Sequence, residues 1–132
     1  MSTGQIVTTV GKKVILNRAF KSAPDYTTFS KFKVGTGTNT PAIGNTDLQT
    51  PVNINGGQTK TFLSGYPVLD EINMNVTIRT ILLTTEANGN TLTEFGIFNT
   101  DGSPAMLSRS VFTALTKTTS VQVVFVEKDK VI

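Results

Sequence analysis

The chain has 132 residues, 38% of them hydrophobic, with 12 Lys and Arg against 9 Asp and Glu and a formal net charge of +3. That length suits one domain with its own core, and the charges are scattered rather than run together, so no nucleic-acid partner is expected. His and Cys are both absent, which removes imidazole bases, thiolate nucleophiles, disulfides and the usual zinc ligands.

Residues 1–10 are polar except for Ile6, Val7 and Val10. They lack the charged and then apolar order of a signal peptide, so the chain is expected to be made and folded in a cytoplasm. Thr8 or Thr9 is placed to cap a helix over residues 11–21. There Ile15, Leu16, Ala19 and Phe20 share one face, and Lys12, Lys13, Asn17 and Lys21 fall largely on the other. Pro24 disfavours helical geometry at Ala23 and ends the element. Residues 26–34 read as a strand, with Phe32, Val34 and Ser30 on one face and Phe29, Lys31 and Lys33 on the other. Gly35 to Pro41 follows. It invites a phosphate-loop reading, but Thr40 stands where a dinucleotide fingerprint needs its third Gly, and the P-loop ending is missing. It reads instead as a glycine-bearing turn, followed by a single helical turn at residues 46–49.

Val52–Ile54 and Thr59–Leu63 are expected to form a hairpin across Asn55-Gly56-Gly57-Gln58. Along residues 68–86, Ile72, Met74, Val76 and Ile78 alternate with Asn73, Asn75, Thr77 and Arg79. That period of two predicts a long strand with one buried face. Asn88-Gly89 turns the chain into a second hairpin, residues 92–98 and 106–112, joined by Asn99-Thr100-Asp101-Gly102-Ser103-Pro104. Setting Phe98 opposite Ala105 puts Gly96 opposite Leu107 and Glu94 opposite Arg109, an ion pair across the strands. Residues 113–119 are a polar connection. The last strand, residues 120–127, is apolar on both faces, which predicts that it is central in its sheet or that Val124 and Val126 are covered by a neighbour. Val131 and Ile132 at the end of the tail point the same way. No run of about 18 apolar residues exists, so no membrane helix is expected. Short strands separated by turn signals predict a mainly β chain. The expected fold is an antiparallel β-sandwich of about seven strands with one N-terminal α-helix, a single domain over residues 1–132.

Hydrolysis of a glycan needs two carboxyl groups facing across a cleft. Asp70-Glu71 is the one adjacent pair, and neighbours on a strand point to opposite faces. Aromatic platforms for sugar are scarce, with no Trp and 2 Tyr. Ser108 and Ser110 have no His to activate them. The sequon Asn75-Val76-Thr77 lies mid-strand in a chain read as non-secreted. No catalytic, cofactor-binding or metal-binding residue is therefore expected.

Two groups of residues resemble a known family. The first is Val7-Thr8-Thr9-Val10-Gly11-Lys12-Lys13 with Arg18-Ala19-Phe20, then 29–35, Gly37, Pro41 and Thr46-Asp47-Leu48. The second is Thr93-Glu94-Phe95-Gly96-Ile97-Phe98, Asp101-Gly102 and Met106-Leu107-Ser108-Arg109, with Phe112 and Lys117-Thr118. Together they are similar to the tail-fibre and collar-type structural proteins of tailed-bacteriophage virions. The resemblance implies a non-catalytic virion component, assembled in the host cytoplasm, that binds other virion proteins as a collar, baseplate or fibre-anchoring piece. A capsid decoration protein and a carbohydrate-binding sandwich contacting host glycans are the alternatives. The residues expected to matter are Glu94 and Arg109 for the hairpin, and Val124, Val126, Val131 and Ile132 for homo-oligomeric or symmetric assembly.

Overall fold

The computed structural model describes residues 3–131. In chain order its elements are β1 (Thr3–Val7), α1 (Thr9–Phe20), β2 (Phe29–Gly35), β3 (Lys60–Thr61), β4 (Val68–Asp70), β5 (Asn75–Leu82), β6 (Thr91–Asn99), β7 (Met106–Thr116) and β8 (Val123–Lys130). They form two antiparallel sheets, one ordered β1-β7-β6-β2-β3 and the other β4-β5-β8. The mainly β, sandwich-like fold with one N-terminal helix is therefore as expected.

Rings join the sheets. Phe95 of β6 stacks on Phe125 of β8 with 4.7 Å between centroids, and Phe125 meets Phe112 of β7 at 5.3 Å. Phe32, Val34, Ile78, Leu82, Leu92 and Ile97 fill the space around them. Each such buried side chain contributes roughly 1.5–3 kcal/mol. Because Phe95 and Ile97 face this core, Glu94, Gly96 and Phe98 project from the opposite face of the same sheet. There Phe98, Met106 and Leu48 form a second, smaller cluster.

The helix begins at Thr9, two residues earlier than expected, and Thr8 is its cap. The buried Thr8 hydroxyl accepts from the Gly11 amide (3.0 Å) and donates to the Met106 carbonyl (2.6 Å), so one side chain both starts the helix and fixes it to β7. The buried face differs from the expected one. Gly11 and Val14 are buried, while Ile15, Leu16, Ala19 and Phe20 are exposed. A Cβ on Gly11 would lie 2.7 Å from the Leu107 carbonyl oxygen. Close approach of backbones thus selects the face that carries no side chain, and hydrophobic periodicity gives such a residue no weight.

The long strand expected over residues 68–86 is instead a hairpin. The Asp70 carboxylate accepts from the amides of Ile72 (3.1 Å) and Asn73 (3.0 Å), and this local bonding turns the chain between β4 and β5. Ile72 and Met74, expected on a buried face, are 90% and 56% exposed. Residues 52–54 form no strand. Pro51 makes an isolated bridge to Gly35, and β3 pairs with β2. Residues 46–49 form no helical turn. β1, unannounced by the polar run of residues 1–10, pairs with β7. Finally, β7 continues to Thr116, through part of the expected polar connection, and β8 continues past Glu127 to Lys130.

Candidate functional site

Two residues of the resembling stretches, Gly37 and Arg109, bond to a third, Glu94. Its side chain is fully buried, and Arg109 Nε donates to Oε1 at 2.9 Å. The expected pair therefore exists, but in a different register. Glu94 stands opposite Val111 and Arg109 opposite Gly96, because Phe98 lies opposite Met106 rather than Ala105 and the ladder shifts once more between Ile97 and Phe98. The two side chains meet diagonally on one face. Nor is the pair an exposed one.

Three backbone amides also donate to the Glu94 carboxylate: Gly37 (2.9 Å), Gln49 (2.9 Å) and Thr50 (2.8 Å). Burial pushes the Glu94 carboxyl up, but the Thr50 and Gln49 amides, the Arg109 guanidinium and the Gly37 amide outweigh it and hold the group below its ordinary value. Arg109 Nη1 reaches the Asn39 carbonyl at 3.0 Å and Asn45 Oδ1 at 3.3 Å. A Cβ on Gly37 would lie 2.5 Å from Glu94 Oε2. The glycines that suggest a phosphate loop therefore make room for a carboxylate of the protein itself. Beside the pair, Lys33 Nζ bonds Asp47 (3.0 Å) and sits 4.6 Å over the Phe98 ring. The charged cluster thus fastens the segment from Gly37 to Thr50, which has almost no regular structure, across the outer face of the sheet. With four donors on its two oxygens, Glu94 is a structural anchor and is poorly placed for proton transfer.

β8 is an edge strand of its sheet. Val124 and Val126 point outward from it, 43% and 60% exposed, with Ile81 and Arg79 of β5 as their register partners. Val131 is 78% exposed, and its amide donates to the Met74 carbonyl at 2.9 Å. Ile132 lies outside the described residues. Lys128 and Lys130, expected in a tail beyond the last strand, are strand residues paired with Thr77 and Asn75. The structure brings Glu94 and Arg109 together. It places Val124 and Val126 on a separate surface, and Val131 beside the β4–β5 turn.

Sequence reasoning missed the burial of Glu127. Glu127 faces inward from β8, and Ser108 Oγ of β7 lies 3.1 Å from its Oε2. Burial, then the hydrogen bond that the protonated group makes to the Asp129 carboxylate and the charge of that residue, push the Glu127 carboxyl up to about 9. The signal was present: Glu127 and Asp129 continue the phase of Val123 and Phe125, which marks them as inward-facing once the strand is extended to Lys130. A polar cleft of about 270 Å³ lies beside β3, lined by Lys31, Asn55, Thr59, Lys60 and Glu86. Lys60 Nζ binds Glu86 there at 2.6 Å. Among the described residues no group of three or more acidic side chains is arranged to hold a metal ion, and no helix is long and apolar enough to cross a membrane. No family profile, curated protein or solved structure matches this chain.

Proposed function

We propose that this chain is a structural, non-catalytic component of a tailed-phage virion, acting through contacts with other virion proteins and with copies of itself. One observation carries the reading. The two stretches that resemble tail-fibre and collar-type proteins are far apart in sequence, yet they meet in one hydrogen-bonded cluster. Gly37 of the first region donates its amide to Glu94 of the second and accepts from the Thr93 hydroxyl of the second, and Arg109 of the second binds the same Glu94 carboxylate. Short motifs of common residues acquire weight when they share a physical task. The exposed Val124 and Val126 on an edge strand add surface suited to a neighbouring protein. A collar, baseplate or fibre-anchoring position is the first reading and capsid decoration the second. The glycan-binding alternative has less behind it, because none of the residues lining the cleft beside β3 is aromatic.

Mass spectrometry of purified particles whose genome encodes this chain tests the proposal. The expected result is a virion protein with a copy number matching a tail or collar ring. A copy number matching the capsid lattice would favour decoration. Absence from the particle would end the virion reading.

A further inference from the structure

The apolar stripe of α1 is exposed: Ile15 51%, Leu16 62% and Phe20 84%. Cations surround it. Between Thr9 and Lys21 the helix carries Lys12, Lys13, Arg18 and Lys21 and no carboxylate. Lys21 is paired with Asp25 (2.6 Å) and Arg18 donates to the Tyr26 carbonyl. Lys12 and Lys13 enter no ion pair found among the described residues. A second exposed apolar surface has the opposite charge at its tip. In the β4–β5 turn, Leu69 and Met74 flank Ile72, which is 90% exposed. Glu71 beside it is exposed and likewise in no ion pair found among the described residues. Asp70 adds a carboxylate, partly offset by the nearby charge of Lys128.

We infer that the β4–β5 turn of one copy docks on the α1 stripe of a second copy, Ile72 entering between Leu16 and Phe20 while Glu71 faces Lys12 and Lys13. Within one chain both surfaces are left exposed: α1 packs on β7, and the turn belongs to the other sheet. A symmetric helix-to-helix pairing would set Lys12 and Lys13 against their own copies, which repel. The contact therefore joins two different surfaces, and it closes as a reciprocal two-fold dimer or a larger ring, or runs on as a filament. This inference deepens the assembly role proposed above. Particle mass spectrometry tests that role, and solution association tests this contact, so either can fail alone.

The test is sedimentation velocity over a wide concentration range on the full chain and two variants, Leu16→Asp/Phe20→Asp on the helix and Glu71→Lys/Ile72→Asp on the turn. All substituted side chains are exposed, and circular dichroism melts check that each variant folds. The wild-type chain should form a dimer or larger species as concentration rises. Each variant alone should stay monomeric. An equimolar mixture of the two should stop at a heterodimer, since one intact helix stripe then meets one intact turn. Should either variant fail to fold, Lys12→Glu/Lys13→Glu and Glu71→Lys replace them: each alone should lose association, and the chain carrying all three changes should regain it. A wild-type chain that stays monomeric, variants that associate like the wild type, or a mixture without heterodimer would overturn the inference. Binding of a monomeric wild-type chain to phosphatidylserine vesicles, lost in Leu16→Asp/Phe20→Asp, would also overturn it and assign the stripe to a lipid surface.

Discussion

Two buried glutamates respond to pH in opposite directions. Glu94 is held below its ordinary value by the fold, so its contribution is present at neutral pH and is lost as pH falls through the depressed value. Glu127 keeps its proton in the fold until about pH 9, although its ordinary value is 4.5. Between those values the unfolded chain binds fewer protons, so stability falls as pH rises, by up to about 1.4 kcal/mol per pH unit. The two effects place greatest stability in mildly acidic solution, which urea unfolding over a pH series would measure. Glu127→Gln, which keeps a partner for Ser108, should flatten the alkaline limb and stabilise the chain at neutral pH; an unchanged slope would refute the assignment. For the anchor, Glu94→Gln should cost about 3–5 kcal/mol, because it strands the Arg109 charge in the interior. Arg109→Met should cost less, about 1–3 kcal/mol, since three amides still compensate the Glu94 carboxylate. Equal losses in denaturant titrations would mean that the amides contribute little.

At the scale of elements, the sequence was most legible where side chains alternate in a strand and least legible where short-range bonding or close approach decided the outcome. β6 and β7 were readable from aromatic and branched residues flanking a cluster of turn formers. Their exact pairing was not, because a bulge near Phe98 leaves no trace in composition. The β4–β5 turn was hidden inside a regular alternation. Asp70 overrides that pattern by bonding two amides ahead of it. β3 was overestimated, and β1 missed, because an edge strand needs little hydrophobic content when its partner supplies the ladder. The helix face was inverted by Gly11. This last point is testable: Gly11→Ala raises helix propensity by about 1 kcal/mol, yet it forces a Cβ into the Leu107 backbone. A net loss of about 1–3 kcal/mol is expected in thermal melts, whereas Leu16→Ala on the exposed stripe should stay within about 0.5 kcal/mol. The anchor pair was legible as a pair; its burial and its three amide partners were not, since they come from a loop with no regular pattern.

For the whole molecule, the tail changes meaning. Deleting residues 128–132 removes part of the β5–β8 ladder, so it should lower the midpoint of unfolding as well as any association. A selective loss of association alone would contradict the pairing of Lys128 and Lys130. The order of the five-stranded sheet has a further consequence, for biosynthesis. The segment that leaves the ribosome first, β1 with α1, has its partner in β7, and the Thr8 bond to Met106 spans 98 positions. Until β7 has emerged, that segment has no ladder to join and its helix has no surface to rest on. Non-local pairing of this kind is slow to form, so the sandwich should close only after β7 has emerged. Stalled nascent chains ending at residue 104 should therefore be digested by protease wherever they have left the ribosome, residues 3–20 included, whereas released chains that carry β7 and β8 resist. Early protection of residues 3–20 would mean that the N-terminal segment finds order before its partner exists.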